Sequence, residues 1–530
     1  MASRHRKQLH KPTRASVKKR NCSMKTPWIK RSIASSACLL VLATASACSN
    51  GTSTNAENTN EVVKATTFTS PAETHADAND GDYSTSGATT ISLRDGNSSV
   101  SGKNAEVKGD TITISAGGTY VLSGTLSDGQ VIVNSDAQTK VKLVLDGVEI
   151  TSKKTSPIVI EAADEVVVIT ASGSTNTLAD SAASAADDEE EDAPTATLFS
   201  MADLTLAGEG TLTVTGASND AIGSKDGLVM LSGTVNVNAT DDGVRGKDYA
   251  VVQGGKLTIK AGGDGIKSDN DNTDELGWIQ LDKGTVNVAA GSQGLDAVGA
   301  VNIADGELTV SESEEGIQGK AVTIAGGVVD VNASDDGINA TSHTETGGTE
   351  QVEEGVILTI SGGTVTLFAG ADGIDSNGTA AITGGTVAIN TRSGGGGGGE
   401  GALDVNGAVT VPAGISFDAS KIKANELVEV ADADKQVQAE FVLTRAASNL
   451  LVLSPQLTAT ESFTVTARTQ DDTSSAGKGR TIATAKAAEG SEFATRMGGG
   501  RQGGMGGTRP EGGQPPEIGL GPGQGPGQEQ

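Results

Sequence analysis

Seven short segments of this 530-residue chain repeat one acidic pattern. They are Asn219-Asp220-Ala221-Ile222, Asp241-Asp242-Gly243-Val244, Gly263-Asp264-Gly265-Ile266, Ser292-Gln293-Gly294-Leu295, Glu314-Glu315-Gly316-Ile317, Asp335-Asp336-Gly337-Ile338 and Ala371-Asp372-Gly373-Ile374. Their second residues are spaced by 22, 22, 29, 22, 21 and 36 positions, a unit of 22 with insertions in two turns. If the segments stack at the inter-strand distance of about 4.8 Å, the second residues form a ladder. Two carboxylates ~5 Å apart repel by about 3 kcal/mol at an effective dielectric of 20, so such a ladder calls for cations or solvent screening. Calcium suits it, because it takes several hard oxygen ligands in flexible geometry. The expected ligands are Asp242, Asp264, Asp336 and Asp372, with Asp269 and Asp271 from the insertion Ser268 to Glu275, which places side-chain oxygens at alternate positions without the EF-hand spacing.

Other residue types offer other chemistry. Lys267 and Arg245 stand three residues after ladder Asp residues, and Lys247 is close by. A cation that acidifies the proton beside a uronate carboxylate, with a Lys or Arg base to remove it, is the cast of a polysaccharide lyase; the same cations can simply pair with the acidic ladder. For stacking against a sugar ring the candidates are Trp278 and Tyr249, with Trp278 expected near the surface beside the insertion. His75 and His343 fall in an expected tether and an insertion, so neither looks placed for catalysis. No Ser-His-Asp set, zinc spacing or phosphate loop is evident, and the six-Gly run from Gly394 to Gly399 has no Lys-Ser or Lys-Thr after it.

The elements that must position these residues are short strands. Each unit holds a piece like Ala250-Val251-Val252, a Gly-rich corner such as Gly254-Gly255, a piece like Thr234-Val235-Asn236-Val237-Asn238, and the acidic segment. The alternation of Val with Asn and Thr is that of a half-buried strand. Three short strands per ~22-residue coil describe an all-β chain folded as a parallel β-helix, in which inward Val, Leu and Ile stack on the next coil. That accounts for a chain with only 2% aromatic residues. The β-helix is expected over residues 91–410, with strand-like segments from Thr111 to Ile169 as its first coils and the run Asp187 to Asp192 as a solvated loop. Residues 411–495 lose the repeat and read as a β cap that closes an open end.

The ends read differently. Residues 1–47 carry 11 Lys and Arg and no acid, leaving 28 basic against 67 acidic residues and a net charge of −39 for the rest. A basic n-region, the apolar run Ile33 to Ala43 and Ala45-Ser46-Ala47 form an export signal, with Met24 a possible true start. Cys48 follows directly, as in a bacterial lipoprotein box, and is the expected lipidation site. This places the protein at the extracellular face of the bacterial cell envelope, held to the membrane by a lipid anchor alone. Residues 48–90 read as a flexible tether and 496–530 as a disordered Gly, Pro and Gln tail. All three Cys lie at or before position 48, so no disulfide network is expected in the body, and its acidity argues against a nucleic-acid partner. The oligomeric state is not legible.

The segments Asp264-Gly265-Ile266-Lys267-Ser268-Asp269-Asn270 and Asp242-Gly243-Val244-Arg245-Gly246-Lys247-Asp248, together with Gly118-Thr119-Tyr120-Val121-Leu122-Ser123-Gly124 and Leu143-Val144-Leu145-Asp146-Gly147-Val148, resemble a family of exported bacterial carbohydrate-binding β-helix proteins typified by a clostridial cellulose- and polygalacturonate-binding protein. The resemblance covers roughly residues 107–410. It implies a right-handed parallel β-helix with bound calcium and a binding role rather than a catalytic one. Gln293 and Glu315 depart from the pattern and interrupt a continuous calcium ladder. The reading is therefore a polysaccharide binder and not an enzyme, with a calcium-dependent lyase and a structural or adhesive surface rod as alternatives.

Overall fold

The computed structural model describes residues 74–136, 138–181, 193–342, 351–391, 401–472 and 479–495. The expected leader, Cys48, the tether up to residue 73, the acidic run near Asp187, His343, the six-Gly run and the tail lie outside these residues. Within them the chain is all-β, and its one helical element is the 3-10 turn Gly490–Glu492. The strands form a 37-stranded, mostly parallel sheet and a separate four-stranded antiparallel sheet.

The 22-residue unit becomes a pairing rule in which a strand pairs in parallel with its equivalent one unit later. In one course, Thr234–Ala239, Lys256–Lys260, Thr285–Ala289, Glu307–Glu312, Val328–Asn332, Thr364–Ala369 and Thr386–Thr391 pair in succession. Val235, Leu257, Val286, Leu308, Val329, Val365 and Val387 fall in register and are all buried. Their numbers advance by 22, 29, 22, 21, 36 and 22, so the insertions leave the register intact. A second course carries the acidic segments, with Ile222, Val244, Ile266, Leu295, Ile317, Ile338, Ile374 and Leu403 stacked inward. A third runs through Gly227–Met230, Tyr249–Val252 and Trp278–Leu281. The inward aliphatics of the three courses join in one core. This pairing is compatible with the expected parallel β-helix, and stacking on the neighbouring unit is what lets each short strand bury its apolar side.

Glycine has two distinct tasks in the unit. At Gly255, Gly284, Gly306 and Gly327 the backbone is left-handed, with φ from +77° to +96°, as the tight corners require. The Gly of the acidic segment is there for space. A Cβ on Gly243, Gly265, Gly294 or Gly316 would meet the carbonyl oxygen of the next segment's Gly at 2.3–2.6 Å, and an inward Val or Ile methyl as closely.

The ends are closed by other means. Thr89–Arg94 pairs in parallel with Gly118–Leu126, and two antiparallel pairings, with Ser99–Ser101 and between Ala105–Lys108 and Thr111–Ile114, finish that side. At the far end Asn449–Leu453 runs antiparallel to both Thr386–Thr391 and Gly414–Asp418 and so covers an edge strand. The four-stranded sheet, Val437–Leu443, Glu426–Ala431, Ser462–Thr469 and Arg480–Lys486, packs with Phe368, Phe417, Phe441 and Phe463 in a smaller core.

The tether does not extend to residue 90. Asp80 is buried, Lys140 Nζ donates to its carboxylate at 2.6 Å, and Lys142 Nζ donates to the carbonyls of Asp80 and Asp82 at 2.9 and 2.6 Å. Polar composition pointed to a solvated segment, but two lysines of one strand hold it against the sheet.

The spatial role of the acidic-segment glycines is testable. Gly265→Ala forces a methyl into contact with Val288 and the Gly294 carbonyl, and overpacking of this kind costs about 1–3 kcal/mol. Thermal unfolding followed by circular dichroism should show a lower Tm with the β spectrum retained.

Candidate functional site

The acidic ladder forms, and it has a structural task that its sequence did not announce. The Asp242 N–H donates to Asp220 Oδ1 at 3.2 Å, the Asp264 N–H to Asp242 Oδ1 at 2.9 Å and the Gln293 N–H to Asp264 Oδ1 at 3.0 Å. Further along, the Asp372 N–H donates to Asp336 Oδ1 at 2.8 Å and the Gly401 N–H to Asp372 Oδ1. One oxygen of each ladder Asp thus satisfies a backbone donor of the next unit, which a buried N–H needs. At the two departures the link is between side chains: Gln293 Nε2 donates to Glu315 Oε2 at 3.4 Å, and Asn339 Nδ2 to Glu315 Oε1 at 2.8 Å.

The slot three residues after each ladder position faces outward beside it. In register it holds Gly223, Arg245, Lys267, Asp296, Gln318, Asn339, Asp375 and Asp404. Only part of the early face carries cations in this slot: Lys267 Nζ lies 2.5 Å from Asp264 and 3.4 Å from Asp242, and Arg245 makes a two-nitrogen pair at 2.5 and 3.2 Å with Asp269, off the ladder. The first ladder residue, Asp220, has no Lys or Arg within salt-bridge distance among the described residues, and burial, then Asp242, pushes it up to about 7. Burial works against the charge of Lys267, but Asp264 and Asp242 outweigh it and hold the ammonium above its ordinary pKa. Burial above all, with the charges of Asp264 and Asp241, raises the Asp242 carboxyl against the pull of the Asp264 N–H and Lys267.

The slots of the later rungs hold no Lys or Arg. Among the described residues no Lys or Arg lies within salt-bridge distance of Asp336, Asp375 or Asp404. Burial pushes Asp336 up to about 8, assisted by Asp375, Asp335 and Asp372. Burial, then Asp404 and Asp372, pushes Asp375 to about 7. Two acceptors here lack any partner: Asp404 Oδ1, on a side chain 6% exposed, and Asn339 Oδ1. Asn339 donates its Nδ2 to Glu315 and Gln318, and its register partner on the following rung is Asp375. Asp404 is the register partner on the other side of Asp375.

Of the expected metal ligands, the structure brings Asp242 and Asp264 together around Lys267, gives Asp269 to Arg245, and gathers Asp336 and Asp372 with Asp375. Asp271 is exposed on the insertion, apart from these groups. Among the described residues no group of three or more His, Cys, Asp or Glu side chains converges to hold a metal.

The aromatic expectation needs correction. Trp278 is not at the surface: it is 5% exposed, its ring stacked on Tyr249 at 4.8 Å between centroids. Tyr249 in turn stacks on His75 at 5.8 Å, its hydroxyl accepts the His75 N–H at 3.0 Å, and Ala76 packs against the same cluster. The N-terminal segment lies over the pair, which adjacent polar sequence could not reveal. Lys267 and Arg245, expected as ligand-binding groups, are engaged by carboxylates. Asp375 and Asp404 were not singled out from sequence, although the slot that linked Lys267 with Arg245 leads to both when followed along the repeat.

These shifts carry a pH signature. An Asp in the unfolded chain titrates near 3.9, whereas folded Asp336 titrates near 8 and Asp375 near 7. The folded chain keeps protons that the unfolded chain has lost, so this contribution is complete at acid pH and fades as pH rises through 7 to 8. In chelator, Tm should fall from about pH 5 to pH 8.5, and Asp336→Asn, which retains an acceptor for the Asp372 N–H, should recover roughly 2–4 °C at the upper pH only.

Comparison with known proteins finds matches to part of the chain. A model described as "Carbohydrate-binding domain-containing protein" matches residues 108–356. A protein of that description from Acetivibrio thermocellus is 32% identical over 128 residues, 24% of this chain and 45% of that protein, so this chain spans less than half of that relative's length. A solved structure, a gadolinium derivative of the polysaccharide lyase-like protein from C. thermocellum, is 32% identical over 42% of this chain and 91% of its own, with a TM-score of 0.41. Over residues 108–356 this chain thus matches the carbohydrate-binding domain-containing family, in keeping with the resemblance of its repeat motifs.

Proposed function

We propose that this chain is an exported protein, lipid-anchored at Cys48, whose right-handed parallel β-helix binds polysaccharide, either an acidic polygalacturonate-like polymer or cellulose, with calcium assistance on its acidic face. The family match supports carbohydrate binding. The observation that carries the calcium component is the later half of the ladder, where Asn339 and Asp404, each with an unpartnered buried oxygen, flank Asp375 in register. This donor set is all hard oxygen, as calcium prefers. Asn339, Asp375 and Asp404 would hold the ion, with Asp336 and Asp372 beside them. Bound calcium would supply a positive charge shared between protein carboxylates and those of a uronate chain, which a body of net charge −39 otherwise repels.

The lyase reading is weaker. A proton-abstracting base must give up its own proton first, and Lys267 and Arg245 are both held in their charged forms by Asp264 and Asp269. The face is read as binding without turnover.

The test is retention of the purified chain on insoluble polygalacturonate and on cellulose, with calcium and with chelator. Calcium-dependent retention is expected on polygalacturonate. Asp375→Asn combined with Asp404→Asn should weaken it by roughly tenfold, the equivalent of about 1.4 kcal/mol. Equal retention with calcium and with chelator would remove calcium from the mechanism, and no retention on either polymer would remove the binding role for these ligands.

A further inference from the structure

The first rungs of the acidic face also carry two cations that pair with no ladder carboxylate. Lys225 and Lys247 follow Ser224 and Gly246, which are register partners on consecutive rungs. Their backbone N–H groups donate to the carbonyls of Ser200 and Ser224 at 2.8 and 3.0 Å, so both side chains leave the sheet from the same place, one unit apart. The next residue of this column is Asp269, whose charge Arg245 already takes. Both lysines are half-buried. Neither ammonium has a carboxylate within salt-bridge distance or a side-chain hydrogen bond among the described residues, whereas Lys140, Arg245, Lys267, Arg445, Arg468 and Arg480 are all paired.

In a body with more than two acidic residues for each basic one, unpaired half-buried lysines side by side are a costly arrangement. Burial disfavours the charge of Lys225, and Arg245 and Lys247 oppose it further. An anion received between them would relieve all three effects. Asp220 and Asp269 also act on this position, so a single negative charge suits it better than a doubly charged phosphate or sulfate.

We propose that Lys225 and Lys247 form an anion subsite that takes the carboxylate of a uronic acid residue. It rests on the polysaccharide-binding reading for the identity of its ligand, and it adds to that reading a direct ionic contact that does not run through calcium. A uronate chain would then meet direct cations on the early rungs and bridging calcium on the later ones.

The experiment uses the full chain in chelator, so that calcium contributes nothing. Sodium galacturonate should raise Tm above the value in sodium chloride of equal ionic strength, and glucose should not. Lys225→Gln with Lys247→Gln should abolish that increment, while Lys256→Gln with Lys260→Gln, on a different course of strands, should retain it. The double variant should also have a Tm no lower than the wild type without ligand, because it removes a repulsion; the single variants read the same increment if the double variant does not fold. No increment over chloride, or an increment unchanged in Lys225→Gln with Lys247→Gln, overturns the subsite. A galacturonate increment that depends on these lysines, in a protein that polygalacturonate does not retain, upholds the subsite and defeats the polymer reading.

Discussion

The close approach of consecutive units at the acidic segments is the constraint on which the rest depends. At Gly243, Gly265, Gly294 and Gly316 the backbone passes so near the next unit that no Cβ fits. That contact fixes the register of the second course. It brings the backbone N–H of one ladder residue within reach of the carboxylate of the unit before it. Asp is short enough to make this bond, and the longer Gln293 and Glu315 bond to neighbouring side chains instead. The Asp-Gly pair is therefore first a device for stacking, and its consequences for charge follow from that.

Stacking carboxylates at strand spacing concentrates negative charge, and the protein meets this in two ways along one face. Lys267 and Arg245 supply countercharge internally on part of the early face. On the later rungs the same slot holds Asn339, Asp375 and Asp404, and the strain appears as raised carboxyl pKa values and unpartnered oxygens. The slot beside the ladder thus changes from cationic at Arg245 and Lys267 to acidic at Asp375 and Asp404 along one face.

The aromatic residues follow a separate logic. Tyr249 and Trp278 are register partners on the outer side of the third course, and they stack on each other because register brings them together. His75 and Ala76 complete the stack. Residues 75–82 are tied down by this stack and by the Lys140–Asp80 pair, so their packing depends on strands far along the chain.

Much of the architecture was legible in the residues alone. The 22-residue spacing, the alternating Val and Leu and the recurrent Gly determined which strands pair and which side chains face inward, because strand pairing and burial are periodic properties that a periodic sequence can encode. The observed register advances by the same intervals as the acidic segments, insertions included. The partners of individual charges were decided only by the tertiary structure. Lys267 could have faced a ligand or Asp264, Asp269 a cation or Arg245, and Trp278 solvent or the His75 segment. Each choice turns on side-chain reach across rungs and on segments distant in sequence, and neither residue type nor spacing records that distance.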